Sequence, residues 1–362
     1  MEINYPIKRR KSRVVKVGDV LIGGGFPIAV QSMTTSDTRD VEASVKQIND
    51  LFESGCDIVR LSVLNHQAAE QLHKIRERVS QPLVADIHFQ YKLALKAIEA
   101  NFDKIRINPG NIGAEWKVRE VTSAAKDKGI PIRIGVNSGS LPEDILQQYG
   151  HDDPRAFVEA ALREVAILEE MNFQDIIISV KSTNTQTAFW AYHMLAQKCD
   201  YPLHVGITES GTLETGTIKS SVGIGAILMT GIGDTIRVSL SADPIHEAPV
   251  AKKILKSCNL KEDGLEVIAC PTCGRCQIDM IPLAESIEQK TRHIKTPLKV
   301  AVMGCAVNGP GEAKAADVGI AGGAGQGMLI KKGEVVARFK EEELEEKLLA
   351  EIEEMTGEKI DR

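Results

Sequence analysis

Three of the seven cysteines in this 362-residue chain, Cys270, Cys273 and Cys276, sit in the heptapeptide CPTCGRC, and a fourth, Cys305, follows in MGCAVNGPGEA. Thiols at C-x-x-C spacing in a chain with an odd cysteine count suit metal binding better than a disulfide framework. A structural zinc ribbon would show a second close pair of ligands, and no Cys or His stands near Cys305 on its C-terminal side. One distant member fits an iron–sulfur cluster better, with Cys276 or a non-cysteine group completing it. The spacing also differs from the C-x-x-x-C-x-x-C of radical enzymes that cleave adenosylmethionine. The scattered Cys56, Cys199 and Cys258 read as ordinary thiols.

Cations carry a second chemistry. Three β-rich runs repeat one pattern, Asp57-x-x-Arg60, Asp103-x-x-Arg106 and Asp234-x-x-Arg237, and a fourth run carries Arg133. Strands of a parallel sheet are covered on both faces and should be nearly continuous apolar runs, so a buried arginine costs several kcal/mol unless it meets an anion. Pairing inside each Asp-x-x-Arg is disfavoured, because residues three apart face opposite sides of a regular strand. The arginines therefore predict a clamp for a polyanion such as a diphosphate. Lys181 ends another run and joins them, and Asn137 and Ser239 add neutral donors. Asp86 and His88 in ADIHF, with His204 and Glu209 in HVGITES, supply titratable groups at further strand ends. Glu209, directly after its strand in a polar loop, is the better general acid/base candidate.

The elements that must position these residues follow from periodicity. AVQSM, DIVRLSV, PLVADIHF, KIRINPG, PIRIGVN, DIIISVK, PLHVGI and DTIRVSL alternate with stretches such as VEASVKQINDLFESG, whose apolar residues recur at three- and four-residue steps. Alternating β and α units imply parallel strands, and eight units in roughly 250 residues imply a (β/α)8 TIM barrel, with an open doubly wound sheet as the alternative. In such a barrel, substrate binds at the C-terminal mouth, where the arginines fall. Ahead of it, VVKVGDVLIGGG predicts a β-hairpin that plugs the barrel floor.

The chain accordingly divides into a barrel over residues 1–258, a linker over 259–266 (NLKEDGLE) and a smaller α/β iron–sulfur domain over 267–362. In the latter, EVIAC, KVAVMGC and DVGIAGG read as buried strands, and GMLIKKGEVVARF as a hairpin turning at Lys332-Gly333. The tail from Lys340 to Met355 reads as a closing helix with an apolar stripe of Leu344, Leu348, Ile352 and Met355. GGAGQG at 322–327 lacks a P-loop lysine and predicts no nucleotide site.

A net charge of −6 argues against a nucleic-acid binder relying on broad phosphate attraction. The basic first residues lack a signal-peptide core, and no apolar run reaches a membrane span, so the expectation is a cytoplasmic protein without membrane partners.

CPTC followed by GCAVNGPGEA, behind a barrel containing QSMT, DIVRLSV, ADIHF and RIGVN, resembles the bacterial two-domain 4-hydroxy-3-methylbut-2-enyl diphosphate synthases of the non-mevalonate isoprenoid pathway, over essentially the whole chain. The resemblance implies reductive dehydroxylation and ring opening of 2-C-methyl-D-erythritol 2,4-cyclodiphosphate, with two electrons from flavodoxin or ferredoxin. It implies a [4Fe-4S] cluster held by Cys270, Cys273, Cys305 and Glu312, and substrate anchoring by Arg60, Arg106, Arg133, Asn137, Lys181, Arg237 and Ser239. Cys276 departs from that ligand set and leaves the fourth ligand open. Four thiolates would saturate a cluster, whereas the oxygen of Glu312 is displaced more easily. Two rival readings differ in class: a non-redox barrel transferase with a structural zinc appendage, and an iron–sulfur electron carrier in which the arginines are idle. Connectivity adds one expectation. The eighth barrel helix delivers the chain to the floor, so a short linker favours a homodimer in which each cluster domain serves its partner's barrel.

Overall fold

The structure is a computed structural model that describes residues 6–305, 311, 313–323 and 325–361. Contacts divide the chain into two compact units, residues 1–261 and 262–362.

The first unit opens with an antiparallel hairpin, β1 (Val15–Val17) and β2 (Val20–Ile22). Six longer strands follow: β3 (Ala29–Met33), β4 (Ile58–Ser62), β5 (Leu83–Ile87), β6 (Lys104–Ile107), β7 (Ile132–Asn137) and β8 (Ile176–Lys181). Two short ones complete the set, β9 (His204–Val205) and β10 (Thr235–Ile236). All eight are parallel, in the order β8-β7-β6-β5-β4-β3-β10-β9, and a bridge between Ile178 and Leu203 joins the two ends into a (β/α)8 barrel. The last two strands are shorter than expected, so Arg237 and Ser239 lie beyond β10. There the Arg237 N–H keeps a sheet bond to the Val205 carbonyl (2.9 Å), and the Leu240 N–H then turns to the Glu247 carboxylate (3.2 Å).

Strand alternation sorts the side chains. Val15, Val17 and Ile22 of the hairpin pack with Ala29, Ile58, Val84 and Ile177, all buried, so the hairpin closes the floor. Burying such Val and Ile side chains contributes roughly 1.5–3 kcal/mol each. The alternate residues, among them Val30, Val59, Ile105 and Val205, pack outward against the helices. The helix Val41–Glu53 is typical: the Asp40 side chain caps its start by accepting from the Ala43 N–H (3.0 Å), and Val45, Ile48 and Leu51 form its buried face.

The repeated strand-start aspartates have a floor role. Asp57 accepts from the Val30 N–H (2.7 Å), Asp103 from the Leu83 N–H (2.8 Å) and Asp234 from the Leu203 N–H (2.9 Å). Each stitches its strand to a neighbour, and none is paired with the arginine three residues on. Asp103 is paired instead with Arg76 (2.7 Å), and Asp234 with Arg9 (3.0 Å).

The second unit is a five-stranded sheet in the order β11 (Leu265–Ala269), β12 (Leu298–Met303), β13 (Val318–Gly323), β14 (Gln326–Lys331) and β15 (Glu334–Phe339). The first three are parallel, and the last two complete an antiparallel meander that turns at Lys332-Gly333. Leu265 and Glu266, read from the sequence as linker, begin β11, because Leu265 packs on this unit's core. Sequence periodicity also missed the helix Met280–Thr291, the crossover that a parallel β11–β12 pair requires. In the closing helix Leu344–Thr356, Leu344, Leu348 and Ile352 are buried as expected, but Leu349 takes the fourth core position and Met355 is exposed. No helix among the described residues is long and apolar enough to cross a membrane.

Candidate active site

At the C-terminal ends of the barrel strands, a cavity of about 200 Å³ is lined by Arg60, Arg106, Arg133, Lys181, Arg237, Asp86, His88, Asn137 and Ser239, together with Met33, Ser179 and Thr208. Every residue expected in the anion clamp lines this one cavity. The guanidinium groups are held apart by specific acceptors. Asp86 receives Arg106 at 3.1 Å and stands 3.8 Å from Arg60, and the Gly135 carbonyl takes a second Arg106 hydrogen bond (3.2 Å). Arg60 also points Nε and Nη2 at the Met33 sulfur (3.1 and 2.8 Å). Glycine makes room for these cations: a Cβ on Gly135 would lie 2.6 Å from Arg106 Nε, and one on Gly206 2.7 Å from Lys181 Nζ.

Sequence reasoning missed Glu247. This carboxylate is buried at the start of the helix Glu247–Ser257 and accepts from Arg237 Nε (3.2 Å), Ser32 Oγ (2.6 Å) and the Leu240 N–H. Its only trace in the sequence is a lone acid opening an amphipathic helix. With Asp86 it answers two of the five basic side chains that line the cavity, which leaves three more basic than acidic groups around it.

The electrostatics follow from that surplus. Burial pushes Arg133 well below its ordinary value, and Arg60 and Arg106 add to the effect. Lys181 is likewise pushed well down, by burial first and then by Arg133, Arg237, Arg60 and Arg106. Asp86 moves the other way: although burial opposes it, Arg60 and Arg106 hold its carboxyl below the usual range. Asp86 thus sits as an anion between two arginines that it helps to hold in place.

The other acid/base candidates separate. His88 lines the cavity, with Nε2 3.7 Å from Asp86. Glu209 is exposed in the loop after β9, next to the lining residue Thr208, and its backbone is held in the left-handed region at φ 50°. His204 is fully buried and does not line the cavity, so it does not reach a molecule bound there directly.

In the second unit, Cys270, Cys273 and Cys305 line one cavity of about 340 Å³ with Arg275, Met303 and Gly304. The Gly304 N–H donates to Cys270 Sγ (3.3 Å). Hydrogen bonds from the backbone and then the side chain of Arg275 hold the Cys273 thiol below its ordinary value, which favours the ligating thiolate. A Cβ on Gly304 would meet Cys276 Sγ at 2.5 Å and Cys270 Sγ at 3.5 Å, so glycine keeps this sulfur-lined hollow open. Cys276 turns its thiol to the Ile278 carbonyl (3.3 Å) and is not part of the cavity wall. Glu312, the expected fourth ligand, lies outside the described residues, among which no three Cys, His, Asp or Glu side chains converge as a metal site. Cys270, Cys273 and Cys305 are soft thiol donors in the lining of one cavity, the Cys273 thiol is predisposed to ionise, and such donors are of the kind an iron–sulfur cluster takes.

Residues 12–252 match the family described as the GcpE TIM-barrel domain, and residues 266–354 the GcpE protein C-terminal domain. The 4-hydroxy-3-methylbut-2-en-1-yl diphosphate synthase (flavodoxin) of Caldanaerobacter subterraneus subsp. tengcongensis is 57% identical over 353 residues, covering 97% of this chain and 99% of that protein. The protein of the same name from Bacillus subtilis is 54% identical over 352 residues, 97% of this chain and 93% of its own. Among solved structures, dihydropteroate synthase from Stenotrophomonas maltophilia superposes with a TM-score of 0.52 at 15% identity, over 68% of this chain and 97% of that one; the likeness is one of barrel fold alone.

Proposed function

The chain belongs to the GcpE family, and from that premise we infer how its residues divide the work of an iron–sulfur oxidoreductase. The reaction is the reductive dehydroxylation and ring opening of 2-C-methyl-D-erythritol 2,4-cyclodiphosphate to (E)-4-hydroxy-3-methylbut-2-enyl diphosphate, in the non-mevalonate isoprenoid pathway. The observation that carries the site assignment is the excess of basic over acidic side chains, five against two, around one barrel cavity. Arg60, Arg106, Arg133, Lys181 and Arg237 bind the diphosphate, and Asn137 and Ser239 orient it. Asp86 and Glu247 keep the guanidinium groups splayed so that several reach the anion at once. His88 at the cavity wall and Glu209 in the mouth loop are the groups able to hold or pass a proton at the departing oxygen.

Cys270, Cys273 and Cys305, with Glu312, hold a [4Fe-4S] cluster that supplies electrons singly at low potential. Flavodoxin delivers them, in keeping with the names of the relatives. A cytoplasmic setting suits cysteines of which none is disulfide-bonded. An anaerobic absorption band near 400 nm, bleached by reductant and restored on turnover of the cyclodiphosphate, tests the reading. A colourless zinc protein that binds the same anion without reducing it would overturn it.

The working unit is a homodimer with each site shared between subunits. In support, the short stretch after the helix Glu247–Ser257 leaves from the floor end of the barrel. The adjacent helices Thr185–Lys198 and Leu213–Met229 also expose Trp190, Ile218, Val222 and Met229, an apolar face suited to self-association. Mixing Arg133→Met chains with Cys305→Ser chains, with subunit exchange verified, should restore about a quarter of normal activity, since roughly half the dimers are mixed and each holds one intact site. No restoration would mean that each cluster serves its own barrel.

A further inference from the structure

Beneath the cation cavity the barrel holds buried polar side chains with unpartnered atoms. Ile105 and Ile107 pack outward, so Lys104 and Arg106 point inward, and Lys104 lies one strand repeat, roughly 7 Å, below Arg106. By the same alternation His204 points inward between Leu203 and Val205, and Gln31 beside Val30. Lys104 and His204 are 0% exposed and Gln31 1%. Among the described residues, Lys104 Nζ, His204 Nε2 and both amide atoms of Gln31 have no hydrogen-bond partner. His204 Nδ1 has only Thr235 Oγ1 at 3.4 Å.

An amine and an imidazole buried this way each cost free energy that a purely structural barrel would avoid with valine or isoleucine. The charges around them leave them no counter-ion. Arg60, Arg133 and Lys181 approach from β4, β7 and β8, and Arg106 stands above on β6 itself. Asp103 beside Lys104 is engaged by Arg76 and the Leu83 N–H, and Asp86 by Arg106 and Arg60. Arg237 beyond β10 is satisfied by Glu247.

We propose that Lys104 and His204 form a buried proton-accepting layer of the substrate site, onto which a diphosphate entering above draws protons from solvent, and whose gained charge helps to hold the anion. The proposal rests on the diphosphate reading of the cavity and adds two residues to it. Burial is the main reason Lys104 is pushed well below its ordinary value, with Arg133 and Arg60 contributing. His204 is pushed down by burial and then by Arg133, Lys181, Lys104 and Arg60. A bound dianion offsets the field of those guanidinium groups, so both acceptors bind a proton more tightly in the complex than in the free protein. Protons are then taken up on binding, and affinity must fall as pH rises, by about tenfold per pH unit for each proton linked. Bound diphosphate reciprocally raises the proton affinity of the layer.

The test is anaerobic calorimetry of the cluster-loaded enzyme with the cyclodiphosphate, without reductant, in buffers of differing ionisation enthalpy. Each phosphorus of that ligand carries one acidic group, ionised far below neutrality, so the protons counted belong to the protein. Wild type should take up protons on binding near neutral pH. Lys104→Met and His204→Gln should each take up fewer and show a flatter dependence of Kd on pH, and either variant suffices if the other fails to fold. Binding without proton uptake in wild type overturns the proposal but leaves the diphosphate reading standing. Wild-type uptake in both variants also overturns it, placing the protons on other groups of the protein. No binding of the cyclodiphosphate at all overturns both.

Discussion

Arg133→Met should move stability and binding in opposite directions. Arg133 is 1% exposed, and among the described residues its one hydrogen bond is a long contact to Ser179 Oγ (3.4 Å) and its Nε has no partner. The fields of Arg60 and Arg106 outweigh that of Asp86 around it. Replacing a poorly compensated buried ion with an apolar side chain of similar length stabilises by about 1–4 kcal/mol. For a barrel of this size that corresponds to a rise in Tm of at least about 2 °C. A charge-assisted hydrogen bond to the diphosphate is worth roughly 1.5–3 kcal/mol, so the same substitution should weaken substrate binding by roughly 10- to 150-fold. Thermal unfolding of the ligand-free protein and calorimetric titration with the cyclodiphosphate measure the two effects. A variant that melts lower than wild type and binds normally would refute the idea that this arginine is strained in the empty site and relieved by substrate.

Further outcomes are specific. Glu247→Gln strips the counter-charge from Arg237 and should cost up to about 3 kcal/mol in chemical denaturation, because it leaves a part-buried cation without its carboxylate. Cys305→Ser should abolish bound iron and sulfide, whereas Cys276→Ser, whose thiol faces the Ile278 carbonyl, should retain both. Glu164, on the helix Pro154–Glu170, is pushed up to about 7 by burial, and its Oε2 has no partner. The folded protein therefore holds this proton more tightly than the unfolded chain, and stability falls as pH rises from the ordinary carboxylate range through 7. Glu164→Gln should flatten that stretch and add about 3 kcal/mol at pH 8, read from denaturant midpoints across pH.

The barrel was legible because its strands are long apolar runs with turn residues between them, and the clamp because arginine is out of place in such runs. The early departure of the chain after β10 was not legible: the Glu247 carboxylate takes the Leu240 N–H, and no local pattern announces a side chain 7 positions downstream. Glu247 itself stayed hidden for the same reason, since its partners Ser32, Arg237 and Leu240 come together only when the barrel closes. Asp86 was legible as a titratable group but not as an ion clamped between arginines, which depends on the register that sets it beside Arg106. The helix Met280–Thr291 was obscured by its third residue, Pro282, and by the polar turn ahead of it.

The Asp-x-x-Arg strands also bear on how the chain finds its fold. Each carboxylate is fixed to a neighbour's amide at one end of the strand, while the guanidinium at the other end faces the barrel axis. The spacing of three is odd, so a slip of one residue would pull the carboxylate off its amide and swing the arginine among the isoleucines and valines beneath the helices. Each misplaced guanidinium would cost several kcal/mol with no anion to relieve it. Closely similar parallel strands can otherwise pair in many offsets. The residues that grip the substrate thus act, before any substrate is present, as proofreading marks that discard misaligned barrels during folding.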